Sequence, residues 1–524
     1  KTRNRLVSTL ILMTLQRKSL SHKSKTDQFS FISILIVIAC ITLPIAIQPD
    51  SAAVFIRETY QGIVSLFGST YMIFGIVTSV FLLILAFSKY GKFVLGGKDT
   101  TPEFGNFSWA SMLFCSGIGG GILYWSGVEW AYYVNQPPFG LEPLSQDSYM
   151  LASAYGAFHW GISGWALYCL PTVVIAVPFY HYKLGSLRLS SGLRGLRGNQ
   201  VENSILGRCI DLIFVIVAIG ASGGSMGMYI PVISAGISEL YGIEHNLTLD
   251  LSVLLFCTLL FALSVFLGLK KGIRMLSNIN VVTALVFLLF ILLLGPFKEI
   301  IALSGDAIKQ LIQKYGEMST LGISGKSEFA ETWTIFYWAW WLALGPQVGL
   351  FVTRVSKGRS LRQLITGMIF FGSLGCFLFY MILGNYAINL ELSGQLAVSE
   401  LLANEGHRIT ATKVLLTLPF GSLFLFAYCL MVVIFIATSY DSVSYVIAYH
   451  VKRTSSEMNE PDRKMRLFWA FILAILPAAL FIIDLNRVAM DVILLMSLPL
   501  LFICPVLAFS LVRTLKNHYS ESNQ

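Results

Sequence analysis

The chain has 524 residues, of which 55% are hydrophobic and only 12% charged, and its mean hydropathy is +0.71. A composition this apolar excludes a water-soluble globular protein of that size and identifies a polytopic membrane protein. The net charge of +9 is not a nucleic-acid signal, because the Lys and Arg residues gather in alternate loops between apolar runs.

Residues 1–28 are basic and polar; Leu6 to Leu15 is apolar but short and lacks a small-residue cleavage site, so no cleaved signal peptide is expected. Apolar runs of about 20 residues or more follow at 29–48, 67–88, 109–134, 150–180, 209–240, 248–269, 276–297, 329–353, 364–388, 413–450, 466–484 and 489–512, which predicts an all-α membrane protein of about twelve transmembrane helices. Lys89, Lys92 and Lys98 follow the second run, Arg188, Arg194 and Arg197 the fourth, Lys270, Lys271 and Arg274 the sixth, Arg354, Lys357 and Arg359 the eighth, and Lys452 and Arg453 the tenth. The loops around Pro137-Pro138 and from Gly242 to Asn246 contain neither Lys nor Arg. By the positive-inside rule both termini are expected in the cytoplasm, with the protein in the cell (inner) membrane. All eight cysteines lie in apolar runs, so no disulfide framework is implied.

The runs that begin near Trp109 and Phe329 both carry helix breakers, Gly117-Ile-Gly-Gly-Gly121 in one and Gly345-Pro346 in the other. Each opens a block of five runs, and an odd number of crossings forces the two blocks to insert with opposite topology. Paired interrupted helices in inverted repeats point to a secondary transporter with its site near the midplane. The predicted organisation is a tail at 1–28, two peripheral transmembrane helices at 29–106, a first repeat at 107–299, an outer amphipathic connector at 300–327, a second repeat at 328–512 and a tail at 513–524. The glycines either let two helices pack closely or free backbone carbonyls for a cation.

In the fourth run Trp160, Trp165 and Tyr168 fall within one arc of roughly 140° on a helix. Trp340 and Trp341 offer a second aromatic surface, and Tyr132 in the third run a further one. A trimethylammonium group has no N–H to donate, so a site for it must use ring quadrupoles, worth about 2 kcal/mol or more per desolvated ring. Trp333 and Trp338 are assigned to packing. In the tenth run Phe435, Thr438 and Ser439 share a helical face; the two hydroxyls either bond back to their own helix or serve as hard oxygen donors to a small cation, completed by the Cys115 and Ile118 carbonyls. Asp441 and Glu129, charged inside apolar runs, are functional by default but are equally explained by bonds to neighbouring helices. His159 is read as a hydrogen-bonded structural residue.

Trp333-Thr-Ile-Phe-Tyr-Trp-Ala-Trp-Trp341, Phe351-Val-Thr-Arg-Val-Ser-Lys-Gly-Arg-Ser360, Phe158-His-Trp-Gly and Gly268-Leu-Lys-Lys-Gly-Ile-Arg274 together resemble the betaine/choline/carnitine transporters, over about Tyr71 to Leu511. The resemblance implies a LeuT-type five-helix inverted repeat, a membrane-embedded homotrimer, and a small-molecule quaternary-ammonium substrate in a tryptophan box, here Trp160, Trp165, Tyr168, Trp340 and Trp341 with Tyr132, Gly119 and Gly121. Tyr132-Tyr133 and Pro137-Pro138-Phe-Gly-Leu-Glu-Pro143 are similar to the carnitine/γ-butyrobetaine exchanger branch. That sodium-independent branch is understood to fill a cation site with an arginine, however, and Asn280 stands at the matching position. Gly117 to Gly121 and Phe435, Thr438 and Ser439 are similar to sodium-coupled betaine symporters, which makes sodium, held by Cys115, Ile118, Phe435, Thr438 and Ser439, the expected coupling ion, with no other cofactor. Leu344 replaces a third aromatic. Ala218 to Ser222 and Gln347 do not match the family's other proposed sodium site. Sodium symport is therefore expected, with substrate exchange as the alternative and a channel or sensor more remote. No pairing of His, Cys, Asp and Glu supports an enzyme, and nothing supports a nucleic-acid partner.

Overall fold

A computed structural model describes residues 27–117, 119–185, 187–267, 270–323, 325–451, 462–483 and 486–521. They are helical throughout, apart from loops and one isolated bridge between Val94 and Ser360. The main helices are α1 Gln28–Ile47, α2 Pro49–Phe87, α3 Asn106–Gly117, α4 Gly120–Ser126, α5 Glu129–Asn135, α6 Gln146–Trp160, α7 Ile162–His181, α8 Ile205–Tyr241, α9 Leu247–Leu267 and α10 Lys270–Leu294. They continue with α11 Phe297–Thr320, α12 Ile335–Val355, α13 Leu361–Phe379, α14 Asn385–Leu392, α15 Val398–Leu416, α16 Gly421–His450, α17 Arg463–Leu473, α18 Ile475–Ile483 and α19 Asn486–Glu521.

Among the described residues nine helices are long and apolar enough to cross a membrane, and a tenth span arises if Ile279–Leu294 and Phe297–Thr320, bent by 112°, count as one. The multi-pass all-α reading therefore holds. The third apolar run lies instead in the three pieces α3, α4 and α5, and the tenth in α16, whose apolar part Gly421–Ala437 is shorter. α12 lies along α7, α8 along α19 and α16, and α13 along α3. Thus the third, fourth, fifth, eighth and tenth runs surround the centre of the bundle, while α2 braces it from outside against α7 and α19.

Two local expectations are corrected. The fourth run is not one helix, since Gly161 (φ −94°, ψ −138°) separates α6 from α7 and the single-helix arc for Trp160, Trp165 and Tyr168 does not apply. A Cβ on Gly161 would stand 2.3 Å from the Ala157 carbonyl oxygen, so only glycine fits the turn. The eighth run, by contrast, is not interrupted at Gly345-Pro346. α12 continues through Pro346, because α7 packs so closely there that a Cβ on Gly345 would lie 2.7 Å from Pro171, and neighbouring helices supply the support that a proline in a membrane helix requires.

Charged residues are paired towards the helix ends. Arg188 and Ser190 meet Asp211, Arg194 forks onto Glu202, and Arg57 on α2 reaches the buried Asp491 on α19 at 3.3 Å. α11 is amphipathic. It buries Ile300, Ala307, Leu311 and Met318 against the bundle.

Close approach at glycine generates a test. A Cβ on Gly156 of α6 would fall 2.2 Å from the Tyr380 ring, which is itself buried and unable to retreat. Gly156→Ala is expected to cost about 1–3 kcal/mol by overpacking, read as a lowered thermal unfolding midpoint of the detergent-solubilised protein.

Candidate functional site

Five rings from three helices meet near the centre of the bundle. Trp160 at the end of α6 lies 5.5 Å from Trp340 and 5.4 Å from Trp341 between ring centroids; Trp341 lies 6.0 Å from Trp165 and 4.4 Å from Tyr168. The break at Gly161 thus separates the helices without separating their aromatic side chains. Gly164, where a Cβ would stand 2.5 Å from the Trp341 ring, lets α12 approach closely enough for this cluster to form.

The indole N–H groups around the cluster are tied off at its edges. Trp160 Nε1 donates to Glu129 Oε2 at 3.1 Å, Trp340 Nε1 to Ser225 Oγ at 3.2 Å, and Trp341 Nε1 to the His159 carbonyl at 2.9 Å. These bonds fix the ring planes and use up the indole N–H groups, so what the cluster can offer a cation that cannot donate a hydrogen bond is π faces.

Gly121 belongs to this cluster. A Cβ there would stand 2.7 Å from the Tyr229 hydroxyl, 2.8 Å from Trp160 and 3.0 Å from Trp340, and one on the neighbouring Gly120 would meet the Tyr229 ring at 2.9 Å. Gly119 has open space in the direction of a Cβ and serves as the extended N-cap of α4. Tyr132 is not in the central cluster. It stands with Trp333 at 5.1 Å, His407 at 5.9 Å and Trp125 at 6.3 Å, a second aromatic layer towards the end of the bundle that carries Pro137-Pro138. Trp338 lies away from both layers, its ring against Gly75 of α2.

Sequence reasoning undervalued Glu129. Its carboxylate is fully buried and accepts from the hydroxyls of Tyr133, Tyr337 and Tyr380 as well as from Trp160. His159 stands 3.7 Å away, its Nδ1 bonded to Tyr133 at 2.9 Å and its Nε2 to Thr334 at 3.0 Å. The available signal was a carboxylate in an apolar run together with tyrosines at 133 and 337, but their convergence from different helices is not visible in one dimension.

Of the expected sodium ligands, Phe435 is buried and Ser439 is exposed, both on α16. Cys115 lies in the last turn of α3, where backbone carbonyls lack helical partners. Ile118 and the side chains of Cys115 and Thr438 lie outside the described residues. Tyr428 Oη, earlier on α16, donates to the Leu123 carbonyl at 2.9 Å, which joins α16 to the interrupted third run. Asn280 on α10 is buried and donates to the Met431 carbonyl of α16 at 3.1 Å. No group of three or more His, Cys, Asp or Glu side chains suited to a metal ion occurs among the described residues.

The sequence profile of the betaine/carnitine/choline family transporters matches residues 29–520. The chain is 34% identical over 442 residues to the uncharacterized transporter YeaV of Escherichia coli, covering 84% of this chain and 91% of the relative. It is 30% identical over 504 residues to a carnitine transporter of Acinetobacter baumannii, covering 95% and 90%. It is also 32% identical over 480 residues to the glycine betaine transporter OpuD of Bacillus subtilis, covering 91% and 92%.

The Glu129 hub yields a prediction. Glu129→Gln keeps the volume but places amide hydrogens against hydroxyl and indole donors; it is expected to cost about 2–4 kcal/mol of stability and to lower transport at least about tenfold through Trp160. Thermal unfolding and uptake into proteoliposomes measure the two effects separately.

Proposed function

The chain belongs to the betaine/carnitine/choline transporter family and is a membrane transporter rather than an enzyme, and we propose that it takes up a quaternary-ammonium compound by sodium symport through alternating access. The observation that carries the substrate class is the cluster of Trp160, Trp165, Tyr168, Trp340 and Trp341, with the indole N–H groups of Trp160, Trp340 and Trp341 bonded outward. Betaine, choline and carnitine all present the trimethylammonium head for which such a surface is suited. In this reading the protein is a homotrimer in the inner membrane with both termini in the cytoplasm.

Sodium coupling rests on two features. Asn280, hydrogen-bonded to α16, is neutral and supplies no fixed positive charge in place of a cation. The carbonyls of Cys115 and Ile118, with the hydroxyls of Thr438 and Ser439, would supply hard oxygens appropriate to sodium from the interrupted third run and the tenth. An ion bridging these two elements favours the conformation in which the cage is complete, and the linkage to substrate is reciprocal. Exchange without a coupling ion is the second reading, favoured by the Tyr132-Tyr133 and Pro137 to Pro143 similarity.

Proteoliposome uptake of labelled betaine, choline, carnitine and γ-butyrobetaine, with and without a sodium gradient and with and without internal substrate, separates the readings: symport requires the gradient, exchange the internal substrate. Trp341→Ala is expected to abolish uptake. Thr438→Ala combined with Ser439→Ala is expected to raise the half-saturating sodium concentration at least about tenfold; unchanged sodium dependence in the double variant would remove these residues from the ion site.

A further inference from the structure

α15, between the ninth and tenth runs, is divided at Gly406, whose φ of 79° and ψ of 174° are open to glycine and strained for other residues. No heavy atom lies within 4 Å of a Cβ built there, so the backbone conformation rather than lack of space requires glycine. The break turns His407 inward. Its buried ring stacks on Tyr124 with centroids 4.0 Å and planes 9° apart, and lies 5.2 Å from Trp125. Its Nε2 donates to the Tyr124 carbonyl at 2.8 Å, which makes Nδ1 the acceptor for the Tyr132 hydroxyl at 3.4 Å.

The next residue anchors the same turn in the opposite direction. Arg408 Nη1 stands 3.9 Å from Asp250 Oδ2 on α9, and Asp250 Oδ1 stands 3.3 Å from His245 Nε2. Tyr124 is three residues from Gly121, so His407 sits about one helical turn, roughly 5 Å along the axis, from the aromatic cage.

We propose that Gly406-His407-Arg408 is the latch of an outer lid, in which His407 seals the route from outside to the cage and must leave Tyr124 before substrate enters. The inference rests on alternating access and on the orientation given by the charged loops, and does not depend on which compound or ion is carried. Withdrawal breaks the hydrogen bond to the Tyr124 carbonyl, the longer one from the Tyr132 hydroxyl and one ring stack, a load small enough for a gate that opens in every cycle.

The latch has a consequence for pH. Burial, opposed by the bond to Tyr124 and assisted by the Arg408 charge, lowers His407 from its ordinary value to about 4. The groups facing it are the Tyr124 and Tyr132 hydroxyls and Arg408, with Asp250 and His245 beyond Arg408 and Tyr428 beyond Tyr124. A group whose value is lowered in the closed state favours closure fully above its exposed value, about 6.5. That preference is lost progressively as pH falls from there towards about 4.

The test places a reporter thiol at Ser126, buried beside Trp125, in a cysteine-free full-length chain in right-side-out vesicles without sodium or substrate. Labelling by a membrane-impermeant thiol reagent is expected to be slow at pH 7.5 and at least about tenfold faster in His407→Ala. His407→Gln, whose amide donates to the same carbonyl but does not titrate, is expected to label much like the parent at pH 7.5. Between pH 7.5 and 5 the ratio of parental to His407→Gln labelling should rise several-fold. Unchanged labelling in His407→Ala, in protein that remains monodisperse, overturns the proposal, and so does a constant ratio across that pH range. If His407→Ala does not reach the membrane, the pH comparison decides alone. Fast labelling of the parent at pH 7.5 from both membrane faces at once would instead refute alternating access.

Discussion

A carboxylate in the middle of a membrane bundle constrains everything around it. Removing Glu129 from water costs several kcal/mol unless its lone pairs are satisfied, and the donors come from Tyr133 one turn along α5, Trp160 at the end of α6, Tyr337 on α12 and Tyr380 in the π turn after α13. Four parts of the chain must therefore converge before any one of them is stable there. Close glycine contacts serve this convergence: Gly156 admits the Tyr380 ring and Gly164 the Trp341 ring. The cost of the buried charge is met by the same bonds that fix the geometry.

That geometry extends directly into the cage. An indole that donates its N–H to a carboxylate is more electron-rich over its face than one bonded to a neutral group, so under the proposed function Trp160 would be the ring best prepared electrostatically for a quaternary ammonium. Trp340 and Trp341 donate to a hydroxyl and a backbone carbonyl instead. Leu344, part-buried one turn along α12 from Trp340, stands where the family resemblance implies a third aromatic.

Much of this was legible in the sequence because membrane solvation leaves few options. Long apolar runs must be helices, so the multi-helix architecture follows from composition and run length alone. Trp160, Trp165, Tyr168, Trp340 and Trp341 were identifiable because they stand close together within two runs. Tyr132 stands with Trp125, Trp333 and His407 rather than against the five rings, a placement that spacing along the third run cannot reveal. The breaks were misjudged for a related reason. Trp160, Trp165 and Tyr168 were placed on one helix across Gly161, whereas Gly345-Pro346 was read as an interruption; the packing of α7 against α12 at Gly345 is a tertiary contact that the sequence does not display. His407 was invisible, since a histidine between polar loop residues carries no signal until Gly406 turns it inward.

The two blocks are consequently unequal, with the interrupted helix in the first and a continuous α12 in the second. α4 is the element this asymmetry isolates. Its seven residues are too few to hold their own hydrogen bonds, and the last four carbonyls of any helix need outside partners. Two of them find tertiary donors, the Leu123 carbonyl taking the Tyr428 hydroxyl from α16 and the Tyr124 carbonyl taking His407 from α15. The opposite end of α4 begins at Gly120-Gly121, pressed against Tyr229, Trp160 and Trp340. One short rigid piece therefore touches the cage at its first turn and the tenth run and the lid at its last. A displacement at either end alters hydrogen bonds at the other, because a two-turn helix moves as a body rather than bending. This is a physical connection between occupancy of the cage and closure above it, and it requires no longer pathway through the protein.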